Sequence, residues 1–193
     1  MFIFSYLCKD RKILDMACFI SAGHHLKDSG AVGNGYKENE LAIEFRNLVV
    51  SACLKRGLKV ITDKDTETLG EYLKRIETGS GSVVLEFHFD ASTNPSATGS
   101  TALVGDDADR LDLSFAKELV NTTSKVLGIK NRGVISEKES HRGRLGLMRE
   151  QGTVALLELC FISNKEDMKL YQKNKKILAV LIAEIIHKYE NLA

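Results

Sequence analysis

Four side chains, widely separated along this chain, have the types needed to activate water: His24, Glu38, His88 and Glu158. Three of them close apolar runs. Residues 16–20 lead into Ser21-Ala22-Gly23 and then His24 and His25; residues 83–87 lead into His88; residues 153–157 lead into Glu158. Glu38 opens a helical pattern just beyond a loop holding Ser29-Gly30 and Gly33-Asn34-Gly35. Two imidazoles, one carboxylate and an open position for water make the donor set of catalytic zinc. The ion is required because water is a poor nucleophile at neutral pH, and a second carboxylate can then serve as general base and later as general acid. Glu40 stands two residues from Glu38 as an alternative ligand, and His25 is the neighbour of His24.

The apolar runs read as buried strands, and helical patterns lie between them. Leu41, Phe45, Leu48, Val49 and Ala52 recur at the helical period, with Gly57 just past the end. Residues 58–62 form a short strand, and Thr68-Leu69-Gly70-Glu71 is a capping box opening a helix through Ile76, in which Arg75 reads as the partner of an acid beside the site or as part of a solvated face. Residues 100–104 are a further strand. A helix through Leu113, Leu119 and Val126 is closed by Gly128. Residues 129–152 lack apolar periodicity, and the segment from Lys130 to Glu150 carries six Lys or Arg against three Glu. It reads as a solvated loop or as a rim meeting acidic groups of a substrate. Ser163 to Glu166 reads as a second capping box, before a last helix through Leu178, Ile182, Ile185 and Tyr189. Strands alternating with helices define an α/β domain: a mostly parallel twisted sheet covered by helices on both faces. Ligands of such sheets bind at the carboxyl ends of the strands, where His24, His88 and Glu158 fall.

The totals fit one globular domain, with 44% hydrophobic and 27% charged residues. A net charge of +1 gives no reason to expect nucleic acid or an anionic membrane as partner. No apolar run reaches the ~18 residues of a membrane span. Cys8, Cys18, Cys53 and Cys160 are scattered without a CxxC, as expected of reduced thiols, and the last three lie in apolar patterns. Residues 1–15 read as an N-terminal arm and residues 16–193 as the catalytic domain. The short apolar start is followed by Lys9-Asp10-Arg11-Lys12, the reverse of a secretory signal.

Three segments carry a resemblance: FISAGHHLKDSGAVGNGYKENELA, GSVVLEFHFDAS and TVALLELCFISNKED. In this order and spacing they resemble the zinc-dependent N-acetylmuramoyl-L-alanine amidases of the amidase-3 family, with its Gly-His loop, Ser-Ile-His-Ala-Asn strand end and Glu-Leu-Gly-Phe-Ile-Ser-Asn stretch. The resemblance covers roughly residues 17–190. It implies that one zinc ion is held by His24, Glu38 and His88, that Glu158 is the catalytic carboxylate, and that the scissile bond joins N-acetylmuramic acid to L-alanine in peptidoglycan. The fold it implies is that of the zinc carboxypeptidases. The chain departs from the family at His25, at Glu86-Phe87 in place of Ser-Ile, at Asp90 and at Cys160, while all four functional positions are kept.

The expectation is therefore a cell-wall lytic amidase acting on peptidoglycan or muropeptides. A carboxypeptidase-like zinc hydrolase of amides or peptides shares the donor set. A non-catalytic peptidoglycan-binding module would be marked by loss of a ligand or of Glu158. Without a recognisable signal peptide, the chain suits synthesis in the cytoplasm and action on the wall, as in a phage-type endolysin; a bacterial enzyme whose signal has been removed fits as well. No oligomeric state follows from the sequence.

Overall fold

A computed structural model of the protein describes residues 17–140 and 142–192. The expected arm over residues 1–15, Cys8, Met16 and His141 lie outside them. Strand β1 (Cys18–Ala22) is wholly buried and leads to a small hairpin, β2 (Val32–Gly33) and β3 (Tyr36–Lys37). Its turn is Asn34-Gly35, with φ of 52° and 83°, the paired left-handed conformation that suits a two-residue hairpin. Helix α1 (Glu38–Lys55) follows directly, then β4 (Val60–Thr62) and α2 (Leu69–Arg75). The capping box of α2 is present as expected, with Thr68 Oγ1 accepting from Glu71 N and the Glu71 carboxylate accepting from Thr68 N. Beyond it come β5 (Val83–Asp90), β6 (Ser100–Val104), α3 (Arg110–Leu127), β7 (Asn131–Ser136), β8 (Thr153–Phe161) and α4 (Lys165–Glu190).

Six strands form one sheet in the order β4-β1-β5-β8-β6-β7. All neighbours pair in parallel except β6 and β8, which are antiparallel. The carboxyl ends of β1, β4, β5 and β8 therefore share one edge. Alternation along the strands sends Cys18, Ile20, Leu85, Phe87, Ala155 and Leu157 toward α1, α3 and α4. Phe19, Val84, Val154 and Leu156 face the other way, toward Tyr72 of α2 and a 3-10 turn (Gly146–Arg149). The sheet is thus covered on both faces, as the helical and apolar patterns imply. Among the described residues, no helix is long and apolar enough to cross a membrane.

Three readings of the sequence need correction. The segment after residue 129 contains β7, an edge strand that pairs with β6; its partly exposed side chains give it no apolar signature. Strands β5 and β8 run past their apolar cores, so His88 and Glu158 lie inside strands rather than after them. The last helix is capped by Asn164, whose side chain accepts from Glu166 N and Asp167 N, while Ser163 Oγ accepts from Ser92 N instead.

A buried ion pair steadies the site edge. Arg46 of α1 reaches Asp63 Oδ1 at 2.7 Å, and the same carboxylate oxygen accepts from Ala22 N at 3.2 Å, at the end of β1. Helix and strand end are thereby joined one residue before the Gly23-His24 turn.

Candidate metal centre

His24 leaves β1 in a left-handed turn, with φ of 66°. That conformation is uncommon for a residue with a side chain, and is held only where the surroundings demand it. The demand is visible here. Gly23 packs on the other imidazole, since a Cβ at Gly23 would lie 2.3 Å from His88 Cε1. Loop backbone closes over the turn: Glu38 N donates to Ala31 O, Asn39 N to Ser29 O, and Asn39 Nδ2 to His25 O.

Glu38 is the hub. It occupies the first turn of α1, where the helix dipole favours a carboxylate, and is buried. Its Oε2 lies 3.2 Å from His24 Nε2 and accepts from Ala31 N at 2.9 Å. Its Oε1 lies 2.9 Å from His88 Nδ1 and accepts from Phe89 N at 3.0 Å. The two imidazole centroids are 5.3 Å apart, edge to face. Donor atoms of His24, Glu38 and His88 all fall within 4.8 Å of one another.

Each imidazole has a second carboxylate at its far nitrogen. Asp28 Oδ2 lies 2.8 Å from His24 Nδ1, and Glu86 Oε1 lies 3.1 Å from His88 Nε2. This arrangement presents His24 Nε2 and His88 Nδ1 inward, and it is how proteins fix the tautomer of metal-binding histidines. The charges around the rings follow. Hydrogen bonding to Glu38 raises His24 above its usual range. Burial pulls His88 down, but hydrogen bonds to Glu38 and Glu86 outweigh it and lift the ring to about 10. Burial likewise opposes ionisation of Glu38, yet the two imidazoles hold its carboxyl well below the carboxylate range. Two imidazoles that hold protons this tightly around one ionised carboxylate are donors that a divalent cation can bind in the protons' place. Two nitrogens and one oxygen, with far nitrogens already partnered, fit zinc.

Glu158 stands opposite His88 in the β5–β8 register and points to the same face of the sheet by alternation. It is 1% exposed, and its Oε1 lies 2.6 Å from Arg142 Nη1, while Arg142 Nη2 approaches Asp90 Oδ1 at 3.5 Å. Neither Glu158 oxygen accepts an aligned hydrogen bond among the described residues. Burial pushes its carboxyl up to about 7, against the pull of His88 and Arg142. The imidazoles line a cavity of about 360 Å³ together with Ser21, Glu86 and Leu69, while Glu158 lines another of about 380 Å³ with Arg142, Asp90, Lys130 and Arg132. Glu158 thus adjoins the His24–Glu38–His88 cluster at His88 without belonging to it.

The other sequence candidates separate cleanly. Glu40 is exposed and pairs with Lys37 at 2.9 Å, so it is Glu38 that meets the imidazoles. His25 lines the cavity but lies outside the cluster, its Nδ1 accepting from Lys27 N. Cys160 is fully buried as packing, like Cys18 and Cys53. Arg75 binds Glu67, which lines the imidazole cavity, through two contacts of 2.8 Å. Sequence reasoning gave no role to Asp28 and placed Arg142 only among the six cations of a substrate rim or solvated loop, not beside Glu158. Asp28 carries a readable signal: it stands four residues after His24 in a glycine-bearing loop. Arg142 carries none, being one of six cations in an aperiodic stretch.

The close packing yields a test. Gly30 has φ of 59°, and a Cβ there would lie 2.5 Å from His24 Cδ2 and 2.6 Å from Glu38 Oε2. Gly30→Ala should therefore fold but bind zinc at least tenfold more weakly than wild type, the scale seen when ligand orientation is lost. Competition with a chromophoric chelator measures it.

A model of the family described as Amidase_3, N-acetylmuramoyl-L-alanine amidase, matches residues 18–188. The chain belongs to this family. A candidate N-acetylmuramoyl-L-alanine amidase from Neisseria meningitidis has a crystal structure 29% identical in sequence, with a TM-score of 0.76 over 91% of this chain and 96% of that one. An amidase of Nostoc punctiforme, 23% identical, shares the fold with a TM-score of 0.73 over 91% and 98% of the two chains. Among curated sequences, the "Probable autolysin PH" of Staphylococcus aureus is 26% identical over 205 residues, covering 93% of this chain and 39% of that protein. An uncharacterised Clostridium perfringens protein is 26% identical over 191 residues, and the chain covers 52% of its length. The chain thus spans about half or less of these two relatives.

Proposed function

We propose that this chain is a zinc-dependent hydrolase of the amide joining N-acetylmuramic acid to L-alanine in peptidoglycan, acting at the cell wall. The observation that carries the reading is the meeting of His24 Nε2, His88 Nδ1 and the Glu38 carboxylate within 4.8 Å, in a chain of this family. Those three residues would hold the ion. Zinc, when bound, lowers the pKa of its water toward roughly 7 and polarises a carbonyl. Asp28 and Glu86 keep the far ring nitrogens engaged, so that the inward nitrogens stay available. Glu158, as its carboxylate, takes the proton of the attacking water. The water oxygen bonds to the lactyl carbonyl carbon, the carbon–nitrogen bond breaks, and Glu158 returns the proton to the departing L-alanine nitrogen. A carboxyl lifted to about 7 by burial is suited to both transfers near neutral pH.

Burial opposes ionisation of that carboxylate, and Arg142 works against burial. Its guanidinium favours the charged form, so Arg142→Gln should move the acidic limb of kcat/KM upward by roughly one unit. A pH–rate profile on a soluble muropeptide checks this.

Mass spectrometry of a muropeptide digest tests the proposed bond. An intact stem peptide with a free L-alanine amino terminus supports it. Release of carboxyl-terminal residues would make the chain a carboxypeptidase-like hydrolase, and binding without hydrolysis in added zinc would make it a wall-binding module.

A further inference from the structure

Glu86 is a carboxylate with almost no water around it. It is 3% exposed, and no Lys or Arg nitrogen lies within 4 Å of it among the described residues. Among the described residues its partners are Ser21 Oγ, donating to Oε2 at 3.1 Å, and His88 Nε2, 3.1 Å from Oε1. Leaving a buried charge with a hydroxyl and one imidazole is costly unless the imidazole side carries compensating positive charge. The strand itself supplies the geometry. Glu86 and His88 are two residues apart on β5, so both side chains leave the same face. Across β1, Ser21 is the register partner of Glu86 and steadies the second oxygen.

The His88 ring is also confined from other sides. Gly23 backbone packs against its Cε1, Nδ1 and Nε2 edge, and Glu38 holds Nδ1. Turning the ring over would break both carboxylate contacts at once. The sequence shows glutamate here where the family's strand end has serine. A serine hydroxyl could orient a ring but brings no charge, whereas a buried carboxylate makes the opposite nitrogen a stronger electron donor. The counterpart at His24 is Asp28, whose side chain is 55% exposed and therefore more strongly screened.

We propose that Glu86 is a positioning residue that locks His88 with Nδ1 toward Glu38 and, through its charge, tightens the hold of this site on zinc. The proposal rests on the metal centre described under Proposed function. Glu86 acts through His88 and lies outside the three-residue cluster that would hold the ion.

The test compares wild type, Glu86→Gln and Glu86→Ala. For each, the zinc dissociation constant is measured by chelator competition, and the melting temperature is measured with metal removed. Glutamine keeps the volume and one acceptor oxygen but lacks the charge. The expected result is that Glu86→Gln melts close to wild type without metal yet binds zinc roughly 10-fold more weakly, with Glu86→Ala weaker still, toward 100-fold. A purely structural role would be met by glutamine, so wild-type zinc affinity in folded Glu86→Gln overturns the proposal and leaves the metal centre standing. Should Glu86→Ala fail to fold, Glu86→Gln decides alone. A wild type that takes up no zinc removes the metal centre itself, and this proposal with it.

Discussion

Glu158→Gln is expected to retain zinc at the wild-type level and to lose turnover by roughly 10²- to 10⁴-fold, the range that general acid–base groups contribute. The substitution keeps size and shape in a fully buried position, so the sheet should not change. It removes the one property the reaction needs, a site that takes and returns a proton. Zinc should stay because Glu158 lies outside the three-residue ligand cluster. Losing a buried carboxyl that burial holds up to about 7 relieves a desolvation cost, and losing the ion pair with Arg142 offsets that relief. Stability should therefore move little. Metal analysis and initial rates on the same samples check the claim. Hydrolysis at the wild-type rate would strip Glu158 of its role.

The second large effect belongs to Glu38→Ala: zinc should fall to background, and turnover should fall to that of chelated wild type. Glu38 alone faces both imidazoles, at 3.2 and 2.9 Å, and no other carboxylate in the cluster can take its place. Glu40 is turned outward onto Lys37. The loss also reaches the fold. Ala31 N and Phe89 N both donate to this carboxylate, and an unpaired buried donor costs about 1–3 kcal/mol. A lower melting temperature should thus accompany the loss of metal, whereas Glu158→Gln should show neither. Zinc retained in Glu38→Ala would move the centre elsewhere.

The contrast between these two residues shows what the sequence could carry. The candidate residues were legible because a buried run of Val, Leu, Phe and Ile cannot hold His or Glu without a reason, although β5 and β8 continue past His88 and Glu158. His24, His88 and Glu158 each break such a run, and Glu38 opens a helix with a clear apolar period. The α/β class followed from the same alternation. Direction did not: nothing in residues 100–104 marks β6 as antiparallel to β8, since fully buried strands look alike either way. Strand β7 stayed hidden because an edge strand with half-exposed side chains has no apolar stripe. Asp28 and Glu86 are near their imidazoles in sequence, across a tight turn and along one strand face, but the ring nitrogen each one meets is fixed only by folding. Arg142 reaches Glu158 from a loop whose sequence has no period at all. Such roles depend on pairwise distance, and distance is the quantity a single sequence encodes least.

The central claim is that two imidazoles and one carboxylate grip an ion through stated atoms. Anomalous diffraction at the zinc edge from zinc-soaked crystals tests it most directly. The account predicts one strong peak at bonding distance from His24 Nε2, His88 Nδ1 and the Glu38 carboxylate. A peak on His25 or Glu40, or none between the two imidazoles, would contradict it.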